Sequence, residues 1–127
     1  MSNNKTIPTA QYDEVIATAT KYVDGLRSGS ATGVSQAFHS DATMYGLLNG
    51  TLLGGPIKNL YTYVDQHGSA ANIKTRLDVI GITPTTAVVK VDMEKDASGT
   101  DYTDFLTLIK LDGKWQTIAK VFHAYDG

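Results

Sequence analysis

Apolar residues recur at every third or fourth position between Val15 and Leu26: Val15, Ile16, Ala19, Tyr22, Val23 and Leu26 form one stripe. That spacing predicts an amphipathic helix with one buried face. Thr9 is placed to cap it, with Asp13 and Glu14 near its positive end. Gly29 can end it, because glycine tolerates the left-handed conformation that follows a helix. Ser30 then caps a second, shorter helix whose inner face is Val34, Ala37 and Phe38.

From Thr43 the pattern changes. In "MYGLLNGTLLGG" the pair Asn49-Gly50 stands between short apolar runs, a hairpin signal, since both residues accept positive φ. "GGPIKNLYTYVDQHG" opens a third helix with Pro56 at its first position, where no N–H is needed. Its stripe is Ile57, Leu60, Tyr61 and Val64, and Gly68 terminates it. The rest reads as strands. "IKTRLDVIGI" and "TAVVKVDMEK" flank Thr83-Pro84-Thr85, and the second alternates Val89, Val91 and Met93 with Lys90, Asp92 and Glu94, as a half-buried antiparallel strand does. "DYTDFLTLIKLDGKWQTIAKVFHAY" is a long hairpin turning at Asp112-Gly113. Its strands are apolar on both faces near the turn, so each face needs a cover. Helices supply one; a second subunit, through the outer sheet face, supplies the other.

The order is helix, helix, hairpin, helix, then four antiparallel strands. This predicts an α+β protein with three N-terminal helices packed on a strongly curved antiparallel sheet. Residues 1–8 read as a loose polar arm and 9–127 as one domain, as the length of 127 residues allows. A net charge of −2 without a basic run offers no footprint for nucleic acid or an anionic membrane. The chain has no cysteine, so no disulfide or thiolate chemistry is open to it. "MSNNKTIPTAQ" lacks the apolar core of a signal peptide, and a cytoplasmic location is expected.

The element order, with "KYVDGLRSGSATGVSQAFHSDATMYG", resembles the nuclear transport factor 2-like (NTF2-like) superfamily, which includes the steroid Δ-isomerases, scytalone dehydratase and SnoaL-type cyclases. "FHSDATMYG", "YTDFLTLIK" and "WQTIAKVFH" are most similar to its uncharacterised putative lumazine-binding branch. The resemblance runs from about Thr9 to His123 and implies a cone-shaped fold around an apolar cavity, often dimeric. A superfold of this kind hosts many activities. Aligned with the steroid isomerases, Tyr22 takes the place of their oxyanion-donating tyrosine and Tyr61 that of a supporting tyrosine. Their general-base aspartate falls on Gly46. Their second, protonated acid falls on Thr107 when the hairpin is counted back from Gly113. Carbon-to-carbon proton shuttling needs a base, so isomerase chemistry by that route is not expected.

The same comparison turns Val89, Val91 and Met93 inward, and on the last strand Ile118, Lys120 and Phe122. Tyr102, Asp104, Leu106 and Leu108 become an outward set, with Asp104 pairing across a dimer with Lys110 or Arg76. Lys120 has three readings. Its stem packs on apolar residues while the ammonium reaches the rim; or it is a charge facing a ligand oxygen; or burial lowers its pKa and makes it a base or Schiff-base nucleophile. Tyr22 is either a satisfied core tyrosine or a donor to a ligand oxygen, with Tyr61 as its partner. His39, placed at the end of the second helix, His67 and His123 are too dispersed for a metal site, and no glycine-rich phosphate loop or dinucleotide fingerprint implies a cofactor.

The expected pocket lies between the helices and the inner sheet face. Tyr22 and Lys120 are its candidate catalytic residues. Phe38, Met44, Leu60, Tyr61, Val91, Met93, Phe105, Thr107, Ile118 and Phe122 are its expected walls. Such a pocket suits a flat or aromatic ligand with a carbonyl or anionic oxygen. Three functions stay open: a binding protein; a cofactor-free isomerase, lyase or cyclase stabilising an enolate through Tyr22 and Lys120; and a structural homodimer with a filled cavity.

Overall fold

The computed structural model describes residues 7–126; most of the expected N-terminal arm lies outside the described residues. Helix α1 (Thr9–Ser28) buries Val15, Ala19, Tyr22, Val23 and Leu26, the stripe set by its 3.6-residue period. It begins after Pro8, with Thr9 inside the first turn, and ends at Gly29, whose φ of 70° lets its N–H reach back to Gly25 and Leu26. Helix α2 (Ala31–Ser35) starts at Ser30, whose hydroxyl accepts the Gly33 N–H at 2.9 Å. His39 does not close this helix. It lies in strand β1, where its Nδ1 accepts the Asp41 N–H at 2.9 Å.

Strands β1 (Phe38–Leu48) and β2 (Thr51–Pro56) form a hairpin through Asn49 and Gly50, both at positive φ, 52° and 78°. Pro56 closes β2 instead of opening the next helix, because the Ile57 N–H is held by Ala42 O at 2.9 Å. Helix α3 (Lys58–His67) follows, burying Leu60 and Val64 and ending at Gly68. Strands β3 (Lys74–Ile82), β4 (Thr86–Glu94), β5 (Tyr102–Leu111) and β6 (Lys114–Ala124) complete a six-stranded curved sheet ordered β2-β1-β6-β5-β4-β3. Every neighbouring pair is antiparallel except β1 and β6, which run parallel. Helix α1 lies across the inner face against β3, β4 and β6, and the core fills the space between them.

The β5–β6 hairpin differs from the sequence reading in a way that decides the site. A uniform register running back from the Asp112-Gly113 turn would set Lys120 opposite Phe105. Instead β6 carries a one-residue bulge at Ile118, between the pairs Leu108↔Thr117 and Thr107↔Ala119, so that Lys120 lies opposite Leu106 and Phe122 opposite Asp104. One extra residue reverses the faces of everything beyond it on one strand relative to the other. Asp104, Leu106 and Leu108, expected outside, are therefore fully buried inside, each 0% exposed. Phe105 and Thr107, expected on the cavity wall, face outward and are exposed. Trp115 and Thr117 share the inner face with Lys120, and Ile118 is the half-buried bulge residue.

Candidate functional site

The inner face, α1, α3 and the β1–β2 hairpin enclose a cavity of about 310 Å³. Tyr22 and Leu26 enter it from α1, Met44 and Leu48 from β1, and Leu53 and Gly54 from β2. Asn59, Leu60 and Tyr63 come from α3; Met93, Asp96 and Tyr102 come from the β4–β5 region; Lys120 and Phe122 come from β6. Of the residues singled out in the sequence, this wall contains Tyr22, Met44, Leu60, Met93, Lys120 and Phe122. Phe38 stands behind it, edge-on to the Tyr22 ring at 5.5 Å between centroids. Val91 is packed into the core at 0% exposure, and Tyr61 is half-buried on α3 away from the wall. The α3 tyrosine in the cavity is Tyr63, one turn beyond Leu60 on the same helix face.

Lys120 is 5% exposed. Its ammonium sits 4.4 Å from the centre of the Phe122 ring and 5.9 Å from that of Tyr22. Among the described residues no carboxylate stands within ion-pair distance of it. Burial pushes its pKa below the ordinary lysine value, while the charges of Asp104 and Asp96 pull it back up. Ring faces compensate a buried cation only in part.

Behind Tyr22 lies Asp104, which the sequence reading had assigned to the opposite face and to Lys110 or Arg76. Lys110 instead donates to Gln11 at 3.0 Å, and Arg76 pairs with Asp78 at 2.9 Å. The Tyr22 hydroxyl donates to Asp104 Oδ2 at 2.6 Å, and Asp104 Oδ1 has no hydrogen-bond partner among the described residues. Tyr22's partner is thus this carboxyl group and not Tyr61. Burial raises the Asp104 pKa, against the lowering effects of Lys120 and the Tyr22 hydroxyl. Burial, with the adjacent carboxylate, also raises that of Tyr22, which stays a phenol.

A phenol has one proton. While Asp104 is ionised, that proton is committed to it and Tyr22 has none to donate to a ligand. Once Asp104 is protonated it can donate to the Tyr22 oxygen, and the phenolic O–H is freed toward the cavity. The burial that raises the Asp104 pKa therefore also decides whether Tyr22 can serve as a donor. A second polar group faces the cavity from the other side. Asp96 accepts the Tyr63 hydroxyl at 2.6 Å through Oδ2, and the backbone N–H groups of Ser98 and Thr100, each at 2.9 Å, through Oδ1. Those bonds fix its carboxyl group on the turn after β4.

Replacing Tyr22 by phenylalanine should cost about 1–3 kcal/mol, the range for leaving a buried polar group without its partner. Because the Asp104 pKa is raised in the folded state, the fold binds its proton more tightly than the unfolded chain. Its contribution is present below the ordinary carboxylate value of 3.8 and is lost as pH rises through the folded value. Without the phenol that folded value rises further, so urea denaturation of Tyr22→Phe should show a steeper loss of stability with pH than wild type. An unchanged pH profile would mean that the two groups are not coupled.

The comparisons with known proteins agree with this architecture. The family described as "Putative lumazine-binding" matches residues 10–123, and the chain belongs to that family, within the NTF2-like superfamily. A relative named "Aldolase FrzH", from Cladobotryum sp, is 47% identical over 121 residues, covering 95% of this chain and 97% of its own. An NTF2-like protein of unknown function from Methylobacillus flagellatus KT is 34% identical, with a TM-score of 0.88 over 94% of this chain and 96% of its own. A ketosteroid isomerase-like protein from Erwinia carotovora atroseptica SCRI1043 shares the fold alone: TM-score 0.72, 16% identity, covering 94% of this chain and 100% of its own. No helix among the described residues is long and apolar enough to cross a membrane.

Proposed function

We propose that this protein is an enzyme of the aldol class, making or breaking a carbon–carbon bond beside a carbonyl group held in the cavity. The observation that carries the reading is Lys120: a 5%-exposed lysine on an otherwise mainly apolar wall, with no carboxylate at ion-pair distance among the described residues. A cation placed there, next to a phenol, is suited to the oxygen that becomes negative when a carbon acid is deprotonated or an aldol bond cleaves. The relative named as an aldolase, 47% identical over nearly its whole length, supports the same class. A volume of about 310 Å³ is at the small end for a ligand pocket and favours a compact, flat or aromatic carbonyl compound over a packed structural role.

The test is retro-aldol cleavage of an aryl β-hydroxyketone that releases a fluorescent aryl aldehyde. Turnover above the uncatalysed rate is expected. Binding of the aryl ketone by calorimetry without any turnover would instead favour a carrier, the reading that the family description suggests.

Homodimerisation is part of the same proposal, but of the residues that suggest it in the sequence, Leu106, Leu108, Trp115 and Val121, only Val121 faces outward. Leu106, Leu108 and Trp115 are spent in the core. The outward side chains Tyr45 on β1, Val121 on β6 and Phe105 on β5 are register neighbours, 45%, 54% and 42% exposed, and such a row calls for a cover. Sedimentation should show a dimer for the wild type and a monomer for the double variant Phe105→Lys, Val121→Lys. A monomeric wild type would refute this.

A further inference from the structure

We propose that Lys120 acts as a nucleophile, its amine condensing with the substrate carbonyl to form an imine; this rests on the aldol-class reading and names the covalent step within it. Three placements point there. The Lys120 side chain reaches the cavity wall, so its nitrogen can meet a ligand. Its nearest neighbours are ring faces, Phe122 at 4.4 Å and Tyr22 at 5.9 Å, and no carboxylate among the described residues holds it as a paired ammonium. A proton acceptor is also at hand. With Leu106 opposite Lys120 and Phe122 opposite Asp104, the Asp104 carboxyl lies diagonally across from the lysine on the same inner face, with Oδ1 unpartnered among the described residues and Oδ2 bonded to Tyr22.

The titratable groups around the lysine are Asp104 from β5 and Asp96 from the turn after β4, with Tyr22 from α1 and Tyr102 beside Phe122. Burial lowers the lysine and raises Asp104, and both shifts favour the proton on the carboxyl group and a free amine. The amine lone pair adds to the carbonyl carbon, and its proton goes to the carbonyl oxygen. Asp104, through the Tyr22 hydroxyl, protonates that oxygen again as it leaves as water. The iminium then loses an α-proton to the Asp104 carboxylate through the Tyr22 hydroxyl to give an enamine, whose carbon attacks an aldehyde while the new alkoxide takes that proton back. Addition of water to the resulting iminium releases the product, restores the amine and returns a proton to Asp104. No oxidant or reductant enters.

The probe is an aryl 1,3-diketone. With an unprotonated amine it loses water to form a conjugated enaminone with a new near-UV absorbance. Wild-type protein should develop that band near neutral pH, and peptide mapping should find the adduct on Lys120, with exposed Lys21 and Lys74 unlabelled. Lys120→Arg and Lys120→Met should show no band. Lys120→Arg, which keeps the charge but not the amine, should also lose about a hundredfold or more of hydroxyketone cleavage. Absence of a Lys120 adduct in the wild type, or Lys120→Arg cleaving the hydroxyketone at the wild-type rate, overturns the imine. In the latter case the aldol reading survives through charge alone. An adduct on Lys120 in a protein that cleaves no hydroxyketone has the reverse meaning: the imine stands and the aldol reading falls.

Discussion

Lys120→Met should remove hydroxyketone cleavage while leaving the fold standing. Methionine approximates the length of the lysine stem without its charge. The lysine lies among Tyr22, Met44, Met93 and Phe122 on the cavity wall, where a thioether packs well. Replacing a buried charge by an apolar group of similar volume is often neutral or stabilising. Asp104 then loses the neighbour that holds its pKa down, and its burial leaves it protonated. The variant lacks both the charge that would face a developing oxyanion and the amine that would form the imine, and kcat/KM should fall about a thousandfold. Thermal denaturation should find the variant as stable as wild type or more so. Full hydroxyketone cleavage by a well-folded Lys120→Met protein would remove Lys120 from the chemistry and refute the imine, and the activity would then rest on other groups of the cavity.

Gly46→Ala should unfold much of the protein's margin of stability, at a cost of about 3 kcal/mol. Gly46 on β1 lies opposite Phe122 on β6. A Cβ added there would stand 2.3 Å from the Phe122 carbonyl oxygen and 2.5 Å from its ring. The ring could turn aside, but the carbonyl belongs to the sheet and could not. The same glycine occupies the place of the steroid isomerases' base in the resemblance. The close approach of the two strands thus excludes that carboxylate sterically, and the space it leaves is filled by the Phe122 ring on which the Lys120 ammonium rests at 4.4 Å. Gly81→Ala is the control, since an added methyl there meets nothing within 4 Å and should change stability by less than about 0.5 kcal/mol. Equal urea midpoints for Gly46→Ala and wild type would show that β1 and β6 are not this close.

Much of the fold was legible because it is local. The α1 stripe, the Asn49-Gly50 and Asp112-Gly113 turns and the alternation of Val89, Val91 and Met93 each express a period or a backbone preference carried by a few adjacent residues. The site was legible in part. Tyr22 and Lys120 stood out as polar groups on apolar stripes. Asp104 stood out equally, as a carboxylate alternating with Leu106 and Leu108, but it was turned to the wrong side and given the wrong partner. Its two leucine neighbours carried the correct signal: a strand face bearing both is the face that packs against helices.

The sequence by itself determined the elements, their order, the family to which the chain belongs and the place of Lys120 between Ile118 and Phe122 on one strand, because helix stripes, turn residues and strand alternation are read from near neighbours. The tertiary structure alone decided which residues meet. The bulge at Ile118 has no mark in "KWQTIAKVFHA"; it exists because Trp115, Thr117, Lys120 and Phe122 all pack inward, which two-residue alternation cannot achieve across that stretch. That one inserted residue sets Asp104 behind Tyr22 and diagonal to Lys120, so the chemistry of the cavity depends on a packing constraint spread over the whole inner face.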